Sequence, residues 1–294
     1  MMLLKQVLND IPQLDIHLCK LNRQNQIKHE VIVRRALSDH DPIIGSNQHG
    51  IFASWNLLNP DSPVSPGFNP EGFKGIYMLY YEEERLQHMQ LLAEVLVKLL
   101  EQGVEAIALQ EVPAMNSVYF KTFWEALHSM ANEKQLAIDF DAFVQSYSLT
   151  RRKDQDYNKF GTALLMRAKS FKLKEITPIL YERGADYLLY SLKSNKALHL
   201  INIHADYEKS EILAEFLMEK TNALDTLIMG DTNIALSKKE ILKTIATMKG
   251  YCFTPSCNHP DTDESSLTLD CLLTRDKTQF VTRGMPVNFA DEGF

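Results

Sequence analysis

The chain has 294 residues, 45% of them hydrophobic, and carries a formal net charge of −7. The hydrophobic fraction is that of a globular protein with a sizeable core. The net negative charge excludes a uniformly basic surface that would bind nucleic acid, but it is compatible with a local positive groove. Four scattered cysteines exclude a small disulfide-stapled framework.

The N-terminal segment, residues 1–28, is predicted to be a helical extension. Apolar residues at helical spacing precede Pro12, and a polar stretch follows at 22–26. The apolar opening is broken by Lys5 and makes a poor signal peptide, and no run approaches the ~18 apolar residues of a membrane span. We therefore expect a soluble, cytoplasmic protein, although the sequence does not exclude non-classical secretion.

The segment 38–58 predicts a β-hairpin after a strand candidate at 29–37. A short apolar run follows Pro42, and the residues of 51–56 alternate between apolar and polar in the manner of a strand. The four residues between the two runs, NQHG, are turn formers. Antiparallel pairing would place Asp39, His40 and Asn56 at one end of the hairpin.

Helices and strands interleave along the rest of the chain. A loop rich in proline and glycine runs to about Gly75; a helix from Glu82 is ended by Gly103. The other predicted elements are strands at 105–112, 140–144, 161–167, 171–177, 187–193, 197–204, 226–231 and 266–275, and helices near 120–127, 211–224 and 237–250. A loop is predicted over 252–266. Residues 29–294 are thus expected to form one mixed α/β sandwich.

Buried strands of this chain repeatedly end in an acid, an amide or a histidine. The positions are Asn56, Glu111, His204, Asp231, Asn233 and Asp270, together with Asp39 and His40 before the hairpin. Each alone is more often a solvated strand end, a cap or a packed histidine, but their joint recurrence favours one active site. Carboxylates of this kind suit Mg²⁺ or Mn²⁺, and with amides and imidazoles they suit hydrolysis of a phosphate ester.

Six short motifs carry a family resemblance: SWNLL, LQEV, INIHAD, GDTN, LTLDCLLT and SDHDPI. Together they resemble the motifs of the endonuclease/exonuclease/phosphatase superfamily, which includes DNase I-like nucleases, deadenylases, sphingomyelinases and inositol polyphosphate 5-phosphatases. The resemblance covers about residues 29–275. It implies an α+β fold, a four-layer α/β/β/α sandwich of two packed mixed sheets, and a metal-dependent phosphoesterase.

The resemblance also implies roles for single residues. Glu111 matches the metal-binding glutamate, and Asn56 matches the first-strand asparagine near metal and nucleophile. His204 matches a phosphate-contacting histidine. Asp231 and Asn233 match the pair that activates and positions the attacking water.

The order of the motifs differs from that of the family, because SDHDPI comes first here and last there. By resemblance, Asp39 is a further metal-site aspartate, and His40 is a catalytic histidine supported by Asp270. We interpret the order as a circular permutation in which NQHG joins the last and first strands. This interpretation predicts a hydrogen bond between His40 and Asp270.

The substrate is less well defined than the chemistry. The layout around LQEV favours a phosphodiester in nucleic acid or a nucleotide, with single-stranded nucleic acid as one candidate partner. An inositol phosphate or phosphoinositide phosphatase and a sphingomyelinase-like phosphodiesterase fit the same motifs. A binding module that has kept the fold without catalysis is the alternative of another class.

Overall fold

The computed structural model describes residues 13–21, 27–36, 42–57, 82–141, 160–179, 184–205, 226–232, 252–255, 270–274 and 279–281. Before residue 37 and after residue 251, only the backbone of these residues is described. The helices predicted over 211–224 and 237–250, and the helical face predicted before Pro12, lie outside the described residues.

Fourteen strands and two helices form the described part of the chain. The strands are β1 (Gln13–Leu21), β2 (Ile27–Ala36), β3 (Ile43–Asn47), β4 (Gly50–Asn56), β5 (Ala106–Pro113), β6 (Ile138–Asp141), β7 (Phe160–Arg167), β8 (Phe171–Ile179), β9 (Gly184–Ser191), β10 (Lys196–His204), β11 (Thr226–Asp231), β12 (Cys252–Pro255), β13 (Asp270–Thr274) and β14 (Gln279–Val281). The helices are α1 (Glu82–Glu101) and α2 (Val118–Glu133).

Two mixed sheets of six strands make up the framework. The first has the order β14-β3-β4-β5-β7-β6 and the second has the order β12-β13-β11-β10-β9-β8. Each contains one parallel pair, β4 with β5 and β10 with β11, among antiparallel neighbours. Parallel strands need a crossover connection, and α1 lies in the crossover from β4 to β5.

The predicted hairpin is confirmed. β3 and β4 pair antiparallel with Asn47 opposite Gly50, so Gln48 and His49 form the two-residue turn. The turn is held by Asn47, whose side-chain oxygen accepts from the backbone N–H of His49 at 2.8 Å. This local bond explains why asparagine suits the position.

The helices pack on the outer face of the first sheet. Ser117 caps α2 by accepting from the backbone N–H of Phe120 at 3.0 Å, and Gly103, at φ 101°, follows the end of α1 as predicted. Residues at helical spacing on α1, such as Leu92 and Leu96, are fully buried against Trp55 and its neighbours on the sheet. The spacing of apolar residues in both helices is thus explained by their burial in one apolar layer between the helices and the first sheet.

The inner faces of the two sheets form a second apolar layer. Phe52, Leu164, Tyr187, Leu200 and Met229 all belong to this cluster and are buried. On β10 and β11, the alternate residues Ile201, Ile203 and Ile228 are also fully buried, so the opposite face of the second sheet is covered as well. The predicted α+β sandwich of two packed mixed sheets is confirmed.

Three segments differ from the sequence expectation. Residues 13–21, placed in the helical extension, form strand β1 and pair with β2, so a hairpin crosses the expected boundary at residue 28. The alternation of Leu14, Ile16 and Leu18 with polar residues explains the strand. Within the predicted loop 252–266, β12 pairs with β13, and β14 adds a short edge beside β3. Such short strands depend on a neighbouring strand, which local sequence does not reveal.

Candidate active site

Four of the predicted residues meet at one edge of the sandwich. Asn56 ends β4, Glu111 lies near the end of β5, and His204 and Asp231 end β10 and β11. In each sheet the two strands are parallel neighbours, so their carboxyl ends share an edge. His204 and Asp231 are direct register partners. Packing of the sheets then brings the two edges together.

Asn56 is the centre of this arrangement. Its side-chain Nδ2 donates to Glu111 Oε1 and to Asp231 Oδ2, both at 3.2 Å. His204 Nε2 lies 3.7 Å from the same oxygen of Glu111 and 3.6 Å from the same oxygen of Asp231. One amide and one imidazole therefore converge on two carboxylate oxygens that come from different sheets.

Three of the four side chains are buried, and the fourth is partly exposed. Asn56, His204 and Asp231 are no more than 3% exposed, whereas the side chain of Glu111 is 19% exposed. Buried charges are costly unless they are paired and hydrogen-bonded. Asp231 satisfies this condition through Asn56, and the carboxylate of Glu111 belongs to a side chain that stays partly exposed.

A β-bulge places Glu111 in this position. The ladder between β5 and β7 runs regularly to Leu109 opposite Ala163 and resumes at Val112 opposite Gly161, with one extra residue on β5. Glu111 has a φ of 53°, which is uncommon for a residue other than glycine. Such a conformation costs about 1–3 kcal/mol and persists where the surroundings enforce it, often at functional sites.

Close approach of the main chains at Gly230 sets the position of Asp231. Gly230 has a φ of 134° and pairs with Ile203 in the parallel ladder. A Cβ atom at this position would lie 2.0 Å from the carbonyl oxygen of Ile203. Glycine therefore lets β11 approach β10 immediately before the pair of Asp231 and His204.

A buried amide network lies behind the bulge. Gln110 Nε2 donates to Asn202 Oδ1 at 2.7 Å and also lies 3.2 Å from Ser54 Oγ. Asn202 Nδ2 donates to the main-chain oxygens of Leu109 and Ala163 at 2.9 and 3.0 Å. Asn202 is not among the site residues predicted from the sequence. Its signal was an amide within the strand-like run LHLINIH, two residues before His204.

The remaining predicted site residues are placed only in part. Asp39, His40 and Asn233 lie outside the described residues. Asp270 begins β13 and pairs with Asp231 in the antiparallel ladder, so its backbone is at the same edge, while its side chain is outside the description. The predicted hydrogen bond between His40 and Asp270 stays a prediction.

The described donors suit a hard cation, although they do not form a complete ligand cage. Within the part of the chain that the structure describes, no three His, Cys, Asp or Glu residues are arranged to hold a metal ion. Mg²⁺ usually takes one or two carboxylates and keeps several waters. The half-open carboxylate of Glu111, with a second carboxylate nearby at Asp231, fits that pattern. Neither described helix has the length and hydrophobicity needed to cross a membrane.

Comparison with known proteins gives matches only among solved structures. No protein-family model matches the chain, and no curated protein sequence matches it. The human Nocturnin catalytic domain is similar at a TM-score of 0.49, with 17% identity over 79% of this chain and 85% of that chain. An endonuclease/exonuclease/phosphatase from Bacteroides vulgatus has a TM-score of 0.48 and 11% identity, over 79% and 86% of the chains. ANGEL2, a 2′,3′-cyclic phosphatase, has a TM-score of 0.47 and 14% identity, over 79% and 83%.

Proposed function

We propose that this protein is a divalent-metal-dependent phosphoesterase that hydrolyses a phosphodiester by in-line attack of an activated water. The observation that carries the proposal is the double hydrogen bond of Asn56 Nδ2 to Glu111 and Asp231, with His204 Nε2 facing the same two oxygens. A structural role alone would not need two carboxylates, an amide and an imidazole at one sheet edge, because buried polar groups add little stability over apolar ones.

Each residue has a role that its environment supports. Asp231 is buried, is oriented by Asn56, and would position and deprotonate the attacking water. His204, as the imidazolium, would donate to a phosphate oxygen and stabilise the charge that develops there. Asn56 bridges the two carboxylates by donating to both. Mg²⁺ or Mn²⁺ bound by Glu111, with Asp39, would supply Lewis-acid stabilisation of the phosphoryl oxygens.

Asp39, His40, Asn233 and Asp270 complete the proposed site through a circular permutation. β3 begins at Ile43, which pairs with Ser54, two residues before Asn56. The chain therefore enters the first sheet at the site edge, directly after Asp39 and His40. β13, which begins at Asp270, lies against β3 across the two sheets. This proximity supports a pairing of His40 with Asp270.

The proposed substrate is a phosphodiester of nucleic acid or of a nucleotide. Its support is the resemblance of the LQEV region to deadenylase-like nucleases. The acidic net charge of −7 confines any polyanion contact to a local surface. Hydrolysis of inositol phosphates or of sphingomyelin would use the same four residues and would differ in the groups that surround them.

A substrate panel tests this proposal. Wild-type protein is incubated with single-stranded RNA, single-stranded DNA, inositol phosphates and sphingomyelin, each with Mg²⁺, with Mn²⁺ and with EDTA. We expect turnover of a nucleic-acid member that requires the metal. Turnover of inositol phosphates alone, or of sphingomyelin alone, would show that the proposed nucleic-acid substrate is wrong and would identify the substrate class instead. No turnover of any member would favour a binding module on this fold.

A further inference from the structure

Asn202 lies between the two sheets and is fully buried. Among the described residues, its amide makes one hydrogen bond to a residue of the β5 bulge and two to the regular pair that precedes the bulge. Nδ2 donates to the oxygens of Leu109 and Ala163, at 2.9 and 3.0 Å, and Oδ1 accepts from Gln110 at 2.7 Å. Leu109 and Ala163 are the last regular pair before the bulge.

We infer that Asn202 is a positioning residue that holds the β5 bulge in the shape that presents Glu111 to the site. Asn202 belongs to β10, and His204 follows it two residues later on the same face of that strand. Its amide therefore connects the strand that carries the histidine with the strand that carries the glutamate. The hydrogen bonds of Asn202 cross from one sheet to the other, so they control the distance between the His204 imidazole and the Glu111 carboxylate.

The network of Asn202 and Gln110 destabilises the fold, which is not expected of residues that serve only to pack the core. Gln110 Oε1 is buried and has no hydrogen-bond partner among the described residues, and Glu111 is held at a φ of 53°. Both features destabilise the fold. An apolar pair of side chains would fill the same space between the sheets without either penalty. The network has a purpose if the site requires the orientation that the network gives to Glu111.

The inference rests on the proposed function in one respect, namely that Glu111 binds the metal. Outer groups that orient a metal ligand typically change metal affinity by roughly 10- to 100-fold when they are removed. Loss of the Asn202 amide is thus expected to weaken Mn²⁺ binding by at least tenfold. It is also expected to release the main chain around Glu111.

The test compares Asn202→Ala with Leu198→Ala. Leu198 lies on the same face of β10, is 1% exposed, and loses the same number of side-chain atoms, so both variants leave a cavity between the sheets. Mn²⁺ affinity is measured by calorimetry, and hydrogen–deuterium exchange is measured in peptides that span 106–113. We expect Asn202→Ala to weaken Mn²⁺ binding at least tenfold and to speed exchange at 106–113 selectively. We expect Leu198→Ala to change Mn²⁺ affinity by less than about twofold.

Equal effects of the two variants on exchange at 106–113, or an unchanged Mn²⁺ affinity in Asn202→Ala, would overturn the inference. If the wild-type protein binds no Mn²⁺, the proposed function fails, while the exchange comparison still decides whether Asn202 holds the bulge. Should Asn202→Ala not fold, Gln110→Ala breaks the same network from the β5 side and is judged by the same two measurements.

Discussion

Among the described glycines, Gly230 has the shortest contact to an added Cβ, so alanine there should strongly destabilise the fold. Its Cβ would lie 2.0 Å from Ile203 O and 2.9 Å from the C and N atoms of the same residue, whereas contacts under 3.0 Å are essentially absent from real structures. Alanine therefore forces β10 and β11 apart by about 1 Å. The contact is with main-chain atoms, so no side-chain rotation can relieve it.

The magnitude of the Gly230→Ala effect follows from two contributions. A side chain at a φ of 134° carries backbone strain of about 1–3 kcal/mol, and overpacking in a tight site costs about 1–3 kcal/mol more. The sum is roughly 2–6 kcal/mol, a large part of the 5–15 kcal/mol that typically stabilises a folded protein. A folded variant should also lose activity, because Asp231 would be displaced from Asn56.

Gly103→Ala is the matched control for this prediction. Gly103 also has a positive φ, 101°, but the nearest atom to its Cβ position is Ile51 Cδ1 at 4.0 Å. Only the backbone strain of roughly 1–3 kcal/mol applies there. Urea unfolding followed by circular dichroism should show a lower midpoint for Gly230→Ala than for Gly103→Ala. Equal midpoints would refute the argument that close approach of the strands requires glycine at 230.

Three further substitutions test the site and its support. Glu111→Gln keeps an acceptor for Asn56 but removes the charge, so Mn²⁺ affinity measured by calorimetry should fall at least ~10-fold; an unchanged affinity would contradict the assignment of Glu111. His204→Gln should lower kcat on the panel substrate by roughly 10²- to 10³-fold, since a donor to the developing charge is lost, and a normal kcat would remove His204 from the mechanism. Phe123→Ala opens a cavity beside Phe120 and Phe140 and should cost about 3–5 kcal/mol in thermal unfolding; a stability near wild type would mean that this core collapses around the gap.

The strand ends were predictable because burial and polarity change sharply within a few residues. An apolar run followed by His204, or by Asp231, shows both where the strand lies and where it ends. The hairpin followed from NQHG, since Asn47 makes its bond locally, but the turn is shorter than the four residues predicted, because Asn47 and Gly50 pair within the strands. Features of this kind are encoded by neighbours in sequence.

Features that depend on the approach of two sheets were not predictable from local patterns. The bulge at Glu111 is an offset between β5 and β7, and its support by Asn202 comes from a strand about 90 residues away in the chain. Convergence of Asn56 with Asp231 likewise requires the sheets to be packed. The family resemblance implied a shared site, but it did not indicate the network behind it.

Strand β1 shows a different limit. Its alternation of Leu14, Ile16 and Leu18 was present in the sequence, yet the helical spacing before Pro12 extended the helix expectation over it. The helical spacing ends before Pro12 and the alternation begins at Leu14, so the two patterns are adjacent rather than overlapping. Pairing with β2 selects the strand, because the ladder satisfies the main-chain groups of both segments.

The central claim is that Asp231 acts in a phosphoesterase site with Asn56, Glu111 and His204, and one kinetic comparison tests it directly. kcat/KM for the metal-dependent panel substrate is measured for wild type, Asp231→Asn and Asp186→Asn. Asp186 is the matched control, since it is 7% exposed and lies 3.0 Å from the Nδ1 atom of His199 on the same strand as His204. We predict a loss of roughly 10²- to 10⁴-fold for Asp231→Asn and a change within about threefold for Asp186→Asn. Turnover that is unchanged by Asp231→Asn would contradict the proposed mechanism.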